Sequence, residues 1–281
     1  MLKEDFLSCR SRLEKAGIAD AGFEAGCLLE HVAGLSRASR LAQPQLELSD
    51  EQKARLEELL SMRERRYPLQ YLLKSWSFCG FELEVGEGVL IPRDDTEVVL
   101  GLCLEYLGGR AGAKVIDLCA GSGALSIALS KLGGSQVEAV ELSDKAIYFL
   151  KKNIDKNKAR VRATAGDIFT CHTEFADGEY DLIVSNPPYI KSSELPGLQP
   201  EVQFEPAMAL DGGESGYDFY EAIISLWSRK LRRGGALAFE LGEGQARRVK
   251  ELMAAKGFKS LRTAADFGGT QRAIIGTMDP L

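Results

Sequence analysis

The sequence predicts an α/β protein with a doubly wound, mostly parallel sheet, preceded by a small helical domain. Before residue 75 the apolar residues recur at helical spacing, and from Lys114 onward strand and helix patterns alternate. Such alternation is typical of βαβ units, which place helices on both faces of a sheet. Two strand-like stretches surround Gly268-Gly269 near the end of the chain. They predict a terminal antiparallel hairpin.

Three helices are predicted in the first 75 residues. The first begins at Leu2, and the second runs from Asp20 to about Gly34. The third opens on a Ser-x-x-Gln capping box at residues 49–52 and stops at Tyr67-Pro68. This domain, residues 1–75, carries no chemistry of its own.

A short β region and the main domain follow. Alternating aromatic residues and a turn at 86–88, leading into a strand at 89–91, predict a hairpin linker over residues 76–92. The main domain is predicted to cover residues 93–281 and to open with a helix that ends near Leu107. Its strands are predicted at 115–118, 137–141, 161–165, 182–185 and 236–241, and its further helices at 124–132, 144–157, 217–231 and 245–256.

Composition narrows the class of protein. The chain has 281 residues, a net charge of −6, six cysteines and two histidines. No apolar stretch approaches the ~20 residues that cross a bilayer, and no signal-peptide pattern is present, so we expect a cytoplasmic protein with no membrane partner. The scattered cysteines indicate reduced thiols rather than a disulfide framework, and no metal site is expected.

Charge argues against a nucleic-acid partner. Acidic and basic residues are equal in number over residues 1–75, so the acidic surplus lies entirely downstream. Proteins that bind duplex nucleic acid tightly usually show a basic stripe. The one local basic cluster, residues 63–66, is explained at least as well by a solvated helix end. No direct binding of duplex nucleic acid is therefore expected.

A glycine-containing turn at the end of the first main-domain strand predicts a cofactor site. Gly121 and Gly123 permit positive φ and a close approach of the backbone to a ligand, at the strand ends where open α/β sheets bind ligands. The third glycine of a dinucleotide fingerprint is missing, because Ser126 stands there. The predicted cofactor residues of this turn are Asp117, Cys119, Ala120, Gly121, Ser122 and Gly123.

Carboxylates at successive strand ends indicate which ligand this site takes. Glu141 ends the next strand and can accept hydrogen bonds from both hydroxyls of a ribose. Asp167, with the adjacent Ile168, can frame an adenine. Asp117 would repel a pyrophosphate, whereas the sulfonium and ammonium groups of S-adenosylmethionine are attracted to carboxylates. S-adenosylmethionine is therefore the predicted cofactor, and S-adenosylhomocysteine the product.

The sequence Asn186-Pro187-Pro188-Tyr189, called here the amide corner, follows the apolar strand at 182–185. Consecutive prolines stiffen the backbone and donate no hydrogen bond, so the corner is rigid and rich in acceptors. An amide side chain and an aromatic ring there suit the binding of a planar –NH2 group. We predict that Asn186, Pro187 and Tyr189 are catalytic, that all four residues bind substrate, and that Asn186 also touches the cofactor.

These motifs resemble one family. The amide corner and the turn at 117–123 are similar to those of class I methyltransferases that act on –NH2 groups, which have a Rossmann-like sheet. The flanking motifs Ile91-Pro92-Arg93, Thr96-Glu97 and Gly212-Gly213, among others, resemble the protein-(glutamine-N5) methyltransferases known as HemK or PrmC. The resemblance covers the chain from about Tyr67 to its end, and the helical segment matches in kind.

The resemblance implies a function. Members of that family methylate the glutamine of the Gly-Gly-Gln motif in peptide chain release factors, and their N-terminal helices dock the substrate. This chain departs from the family pattern at Asp94, where proline is usual, and at Cys119-Ala120, where Gly-Thr is common. Two alternatives stay open: a glutamine of a ribosomal protein, or a nucleobase amine such as adenine N6. A methyltransferase fold without activity is a third, which the intact motifs disfavour.

Overall fold

The chain divides into two compact units in the computed structural model, which describes residues 1–278. The first unit contains residues 1–75 and also 199–204, and the second contains residues 76–198 and the chain from 205 onward. The stretch 199–204 lies far along the sequence from the rest of its unit, and no local pattern predicts where it packs. The predicted end of the main domain, at residue 281, lies outside the described residues.

The first unit is helical. The capping box is confirmed, because Ser49 Oγ accepts from the Gln52 backbone N–H (3.2 Å) and the Gln52 side chain accepts from the Ser49 N–H (2.9 Å). The third predicted helix ends earlier than expected, since Arg66 has a φ of 69° and cannot continue it. The helices are α1 (Leu2–Lys15), α2 (Ala21–Ala33), α3 (Arg37–Ala42), α4 (Asp50–Glu64) and α5 (Leu69–Leu73).

The basic cluster at residues 63–66 is not simply a solvated helix end. Arg63 is 4% exposed and donates to Glu24 (2.5 and 3.1 Å) and to Glu201 (2.9 Å). Arg66 also lies 2.9 Å from Glu201. The positive charges are therefore largely neutralised inside the unit. They tie the stretch 199–204 to the helices.

The second unit is built on a seven-stranded sheet of order β5-β4-β3-β6-β7-β9-β8. The first five of these strands are parallel to one another, and β9 runs antiparallel to both β7 and β8. The predicted doubly wound sheet with a terminal antiparallel hairpin is confirmed. The strands are β3 (Lys114–Leu118), β4 (Gln136–Glu141), β5 (Val161–Ala165), β6 (Tyr180–Ser185), β7 (Leu231–Glu240), β8 (Phe258–Ala265) and β9 (Gln271–Met278).

Helices cover both faces of this sheet. One buried cluster joins Val115 and Val184 of the sheet to Val99 and Ile127, and the other joins Phe239 to the opposite helices. Central parallel strands are apolar on both faces for this reason, and β6 is buried along its whole length. The helices are α6 (Thr96–Leu107), α7 (Ala124–Leu132), α8 (Asp144–Asn157), α9 (Asp218–Ala222) and α10 (Ala246–Ala255).

The linker hairpin lies earlier in the sequence than predicted. Its strands are β1 (Ser75–Phe78) and β2 (Phe81–Glu84), and residues 89–91 form no strand. Cys79 and Gly80 have φ values of 49° and 79°, as a tight two-residue hairpin turn requires. The expectation of a strand at 89–91 was wrong because the turn chemistry sits at residues 79–80.

The helix predicted at 217–231 is interrupted. After α9 the chain forms a π-helical turn (Ile223–Trp227) and a 3₁₀ turn (Ser228–Lys230), and Leu231 already begins β7. Ser228 Oγ donates to the Ile224 carbonyl at 2.5 Å, a side-chain bond that competes with regular helix bonding. The strand predicted at 236–241 is correspondingly longer at its start.

Composition led to two expectations, one about membrane-spanning helices and one about the cysteines. Within residues 1–278, no helix combines the length and the apolar character needed to cross a membrane. All six cysteines lie in this part of the chain and are unpaired, as expected for reduced thiols. Three of them are buried, so packing accounts for them.

Candidate active site

A cavity of about 450 Å³ opens at the carboxyl ends of the parallel strands. Its described lining includes four acidic side chains, Glu141, Asp167, Asp211 and Asp218, and no lysine, arginine or histidine. A cavity lined in this way suits a positively charged ligand. The predicted site residues that line it are Cys119, Gly121, Glu141, Asp167, Ile168, Asn186 and Pro188.

A smaller cavity of about 40 Å³ shares part of this wall. It is also lined by Asp117, Ala120 and Ser122, so that most of the predicted turn faces one of the two spaces. Gly123, Pro187 and Tyr189 line neither cavity in the described chain. The structure therefore brings most of the predicted cofactor residues together, whereas two of the predicted catalytic residues are not among the lining.

The turn at residues 119–123, called here the glycine loop, has the strained backbone that its sequence indicates. Gly121 and Gly123 have φ values of 56° and 87°. A Cβ on Gly123 would lie 2.6 Å from the Leu150 side chain, so glycine is required there for space as well. Cys119, where the family pattern often has glycine, also has a positive φ of 61°. The departure noted in the sequence therefore falls on a position that favours glycine.

Glu141 holds the glycine loop as well as lining the cavity. One carboxylate oxygen accepts from the Gly121 N–H at 2.8 Å, and the other accepts from the Leu142 and Ser143 N–H groups, each at 2.8 Å. A carboxylate has about four acceptor sites. Three are used within the protein, so this side chain has less capacity for ribose hydroxyls than the sequence suggested.

Asp117 is buried at the end of β3, 1% exposed. Burial raises its pKa to about 7, against a lowering by the hydrogen bond that Ser126 Oγ donates to it at 2.5 Å. The residue that breaks the dinucleotide fingerprint, Ser126, thus supports this carboxyl. Asp117 reaches the site only through the smaller cavity.

An aromatic side chain forms the far wall of the larger cavity. Asp167 Oδ1 accepts from the Phe169 N–H at 2.9 Å, and the Ile168 carbonyl accepts from the Trp227 indole N–H at 2.9 Å. Phe169 stays 40% exposed and packs edge-to-face on Phe219 with ring centroids 5.1 Å apart. This fixed, exposed ring can cover a planar base.

The amide corner begins where β6 ends, between the glycine loop and β7. Ser185 Oγ donates to the Leu118 carbonyl at 2.6 Å, which ties the end of β6 to the start of the glycine loop. Asn186 lines both cavities, and its Nδ2 donates to Thr96 Oγ1 at 3.4 Å. This side chain is the one predicted catalytic group that reaches both spaces.

Tyr189 is anchored away from the cavities. Its hydroxyl donates to Glu240 Oε1 at 3.3 Å, and its backbone carbonyl accepts from Gln245 Nε2 at 2.9 Å. Burial, with the nearby charge of Glu240, raises the pKa of the Tyr189 hydroxyl. The ring packs against the buried cluster on one face of the sheet. Its contacts in this structure support the corner.

The chain after the corner is pinned beside it. Ile190 N–H donates to the Leu210 carbonyl (2.9 Å), and Gly212 N–H donates to the Ile190 carbonyl (2.7 Å). A Cβ on Gly212 would lie 2.7 Å from Tyr189 Cα and 2.9 Å from the Pro188 oxygen. Only glycine allows this approach without moving the backbone of the corner.

A second buried carboxylate fixes the segment before α6. Glu205 accepts from the Ile91 N–H at 2.9 Å and forms an ion pair with Arg93. Its side chain is 1% exposed, whereas Arg93 is 37% exposed. Arg93 is therefore tied to the loop that follows the amide corner, and it is more than a surface ion pair or helix cap.

Sequence reasoning missed several residues that support the site. No spacing rule connects these side chains with the amide corner, because each comes from a separate element. Three of the missed residues belong to family motifs, which was the one available indication for them. For Phe169 the only indication was an aromatic residue after Asp167-Ile168, and for Gln245 it was a glutamine at the start of a helix. The missed residues are Thr96, Phe169, Glu205, Glu240 and Gln245.

The fold and this site define a class I S-adenosylmethionine-dependent methyltransferase. Residues 96–198 match the family model described as the methyltransferase small domain, and residues 7–73 match that of the PrmC N-terminal domain. The chain belongs to the family of release factor glutamine methyltransferases, as the sequence predicted. This is shown by relatives that are similar along nearly the whole chain.

Two relatives and one solved structure illustrate the similarity. A release factor glutamine methyltransferase of Geobacter sulfurreducens is 40% identical over 269 residues, which cover 95% of this chain and 93% of that protein. One of Clostridium acetobutylicum is 33% identical over 252 residues, 88% of each. The crystal structure of a methyltransferase from Pyrococcus furiosus has a TM-score of 0.54 at 18% identity, covers 83% of this chain and all of that one, and shows the fold alone.

Proposed function

We propose that this protein transfers the methyl group of S-adenosylmethionine to the side-chain nitrogen of the glutamine in the Gly-Gly-Gln motif of a peptide chain release factor. The observation that carries the proposal is the position of Asn186. Its side chain lines both cavities, and the charged residues of the larger one are all acidic. The names of the relatives supply the substrate class.

The larger cavity fits the cofactor. Its volume of about 450 Å³ lies within the ~300–1,000 Å³ typical of small-molecule sites. Glu141 and Asp167 would hold the ribose and the adenine edge, and Phe169 would cover the base. When bound, S-adenosylmethionine supplies an electrophilic methyl group. The acidic lining favours the binding of the cationic S-adenosylmethionine over the binding of a negatively charged nucleotide phosphate.

The amide corner would prepare the acceptor nitrogen. An amide nitrogen is a weak nucleophile because its lone pair is delocalised into the carbonyl. Asn186 Oδ1 accepts one N–H of the substrate amide and the Pro187 carbonyl accepts the other, which raises the electron density on nitrogen and orients its lone pair. As positive charge develops there, both acceptors bind more strongly, so they favour the transition state over the ground state.

The remaining corner residues would shape the slot. Pro188 lines the cavity and closes one side of it. Tyr189, held through its hydroxyl and its carbonyl, keeps the corner rigid. We assign substrate docking to the helical first unit. Since release factors act in translation termination, the expected compartment is the cytoplasm.

The test is methyl transfer from labelled S-adenosylmethionine to a purified release factor, with the position of the label mapped by mass spectrometry. We expect label on the glutamine of Gly-Gly-Gln. The matched control is the same release factor with that glutamine replaced by alanine, which should stay unlabelled. Ribosomal proteins and nucleic acid are offered in parallel, and label found only on either of them would overturn the proposal.

A further inference from the structure

The carboxyl of Glu240 is buried next to the amide corner and forms no ion pair within residues 1–278. Glu240, the last residue of β7, is 1% exposed. Arg272, whose charge acts on it, pairs instead with Asp95 (3.1 Å) and Asp266 (2.9 Å). Burying a carboxyl in this way is unfavourable unless hydrogen bonds compensate. Glu240 therefore needs its hydrogen-bond donors, and these lead to the amide corner.

Two hydroxyl groups serve as those donors. Thr96 Oγ1, at the first residue of α6, donates to Glu240 Oε2 at 2.6 Å, and the Tyr189 hydroxyl donates to Glu240 Oε1 at 3.3 Å. An ionised carboxylate can only accept hydrogen bonds. Glu240 is ionised above its pKa of about 7, and both bonds then have their hydrogens pointing towards it.

The single hydrogen of Thr96 decides what Asn186 can present. A threonine hydroxyl has one hydrogen, and Thr96 uses it on Glu240. What remains for Asn186, 3.4 Å away, is a lone pair on Thr96 Oγ1. A lone pair attracts the Nδ2 hydrogens and repels the Oδ1 oxygen. The amide of Asn186 is therefore held with Nδ2 towards Thr96 and Oδ1 on the other side.

We propose that Thr96 and Glu240 are positioning residues that set the orientation of the Asn186 side-chain amide, so that Oδ1 is the atom offered to the substrate –NH2 group. The inference rests on the proposed function, in which Asn186 Oδ1 accepts from the substrate. An asparagine turned the other way would offer Nδ2, a donor, and two donors repel each other. Turning the amide would abolish the role of Asn186 without removing its side chain.

A purely structural role for Thr96 makes different predictions. Its hydroxyl also ties the start of α6 to β7, and loss of that tie alone would lower stability without changing the state of Asn186. A control for this effect is Thr164, which donates to Glu138 Oε1 at 2.8 Å in the same unit but lines neither cavity. Thr164→Val removes a similar hydroxyl-to-carboxylate bond elsewhere.

The kinetic experiment compares Thr96→Val, Thr96→Ser and Thr164→Val in the full-length protein, with release factor as substrate. We expect Thr96→Val to lower kcat by roughly 10–100-fold through misorientation of the acceptor, with the Kd for S-adenosylmethionine changed about twofold or less. Thr96→Ser, which restores the hydroxyl, should recover most of the rate. Thr164→Val should leave kcat unchanged.

A spectroscopic readout tests the orientation without turnover. The side-chain –NH2 signal of Asn186, assigned by its absence in Asn186→Ala, is followed in ¹H–¹⁵N spectra of the cofactor-free protein. Thr96→Val should shift this signal, and Thr96→Ser should restore it. Glu240→Gln should also shift it, because a carboxamide can donate to Thr96 and free the threonine hydrogen to turn towards Asn186. Glu240→Gln serves if Thr96→Val fails to fold.

The outcomes separate the inference from the proposed function. An unchanged Asn186 signal in both Thr96→Val and Glu240→Gln, or a Thr96→Ser variant as slow as Thr96→Val, overturns the positioning role. A wild-type protein that leaves release factor unmethylated counts against the proposed function alone, since the –NH2 signal still reports whether Thr96 and Glu240 orient Asn186.

Discussion

The two sides of the candidate site are held in different ways. The glycine loop is held at its backbone by the neighbouring strand: the Gly121 N–H donates to Glu141, and the Ala120 N–H donates to the Val140 carbonyl. The amide corner is held by side chains from three distant elements, Thr96 at the start of α6, Glu240 at the end of β7, and Gln245 just before α10. In the proposed function, cofactor binding thus depends on a compact motif, and orientation of the reacting group depends on residues scattered along the chain.

The contrast predicts which measured property a substitution on each side of the site should change. Changes around the glycine loop should alter cofactor affinity, because that side shapes the larger cavity. Changes around the amide corner should alter the rate, because that side offers the acceptors that strengthen in the transition state. Five predictions test this contrast.

Asn186→Ala should lower methyl transfer by about 10²–10³-fold, because it removes an acceptor aimed at charge that develops on the substrate nitrogen. The Kd for S-adenosylmethionine, measured by calorimetry, should change little. Asn186→Asp keeps the oxygen atoms and should retain more activity than alanine. Near-normal turnover in the alanine variant would remove Asn186 from the catalytic role.

Gly212→Ala should destabilise the protein by about 1–3 kcal/mol and reduce the rate, because the new Cβ would press on the backbone of the amide corner. Thermal unfolding and kcat are the measurements. Gly197→Ala is the matched control, since a Cβ there meets nothing within 4 Å. If both variants behave alike, the close approach at Gly212 does not matter.

Glu141→Ala should weaken cofactor binding by roughly 1–3 kcal/mol, through lost charge-assisted hydrogen bonds to the ligand and to the glycine loop. Calorimetric titration measures the Kd, and kcat at saturating cofactor should fall much less. Glu138→Ala, on the same strand but outside both cavities, provides the comparison. An unchanged Kd in Glu141→Ala would exclude Glu141 from the site.

The last two predictions concern pH. Burial raises the pKa of Asp117 to about 7 in the folded protein, from a usual value near ~4 in an unfolded chain. Between these values the folded state binds more protons than the unfolded state. The contribution of Asp117 to the free energy of unfolding is therefore fully present below pH ~4, and it falls as the pH rises, by at most ~1.4 kcal/mol per pH unit, until about pH 7. Asp117→Asn should flatten this decline in denaturant titrations.

Glu240 makes a matching prediction on the other side of the site. Its pKa is also raised to about 7, mainly by burial. Glu240→Gln should therefore also flatten the decline of stability with rising pH over the same pH range. The two variants should differ in function, since only Glu240→Gln disturbs the orientation of Asn186. A pH dependence of stability unchanged in both variants would show that neither carboxyl titrates in this range.

Local patterns predicted much of the fold. Three features could be predicted because each depends on residues close in sequence. They are the capping box at Ser49, the alternation of strands and helices after Lys114, and the terminal hairpin. The strand expected at 89–91 was wrong, and the helix expected at 217–231 changes from α-helical to π and 3₁₀ turns along residues 218–230. In both places short-range chemistry, the Cys79-Gly80 turn and the Ser228 side-chain bond, decided the structure.

Some features of the candidate site could likewise be predicted from the sequence, and others could not. Positive φ at Gly121 and Gly123, and carboxylates at strand ends, could be predicted because the parallel topology brings strand ends to one edge of the sheet. That Glu141 already accepts three bonds could not, because backbone N–H directions depend on the folded loop. The place of Tyr189 behind the cavity wall depends on the packing of Gly212 and Glu240 around it.

The sequence alone predicts the class of sheet, the positions of the glycine loop and the amide corner, and the family, because these follow from periodicity and contiguous motifs. It does not predict which groups surround Asn186 in the folded protein. Asn186 donates to Thr96, and Thr96 donates to Glu240, so this chain of hydrogen bonds joins residues from different elements. Hydrogen-bond direction is a property of neighbours in space, and no spacing in the sequence encodes it.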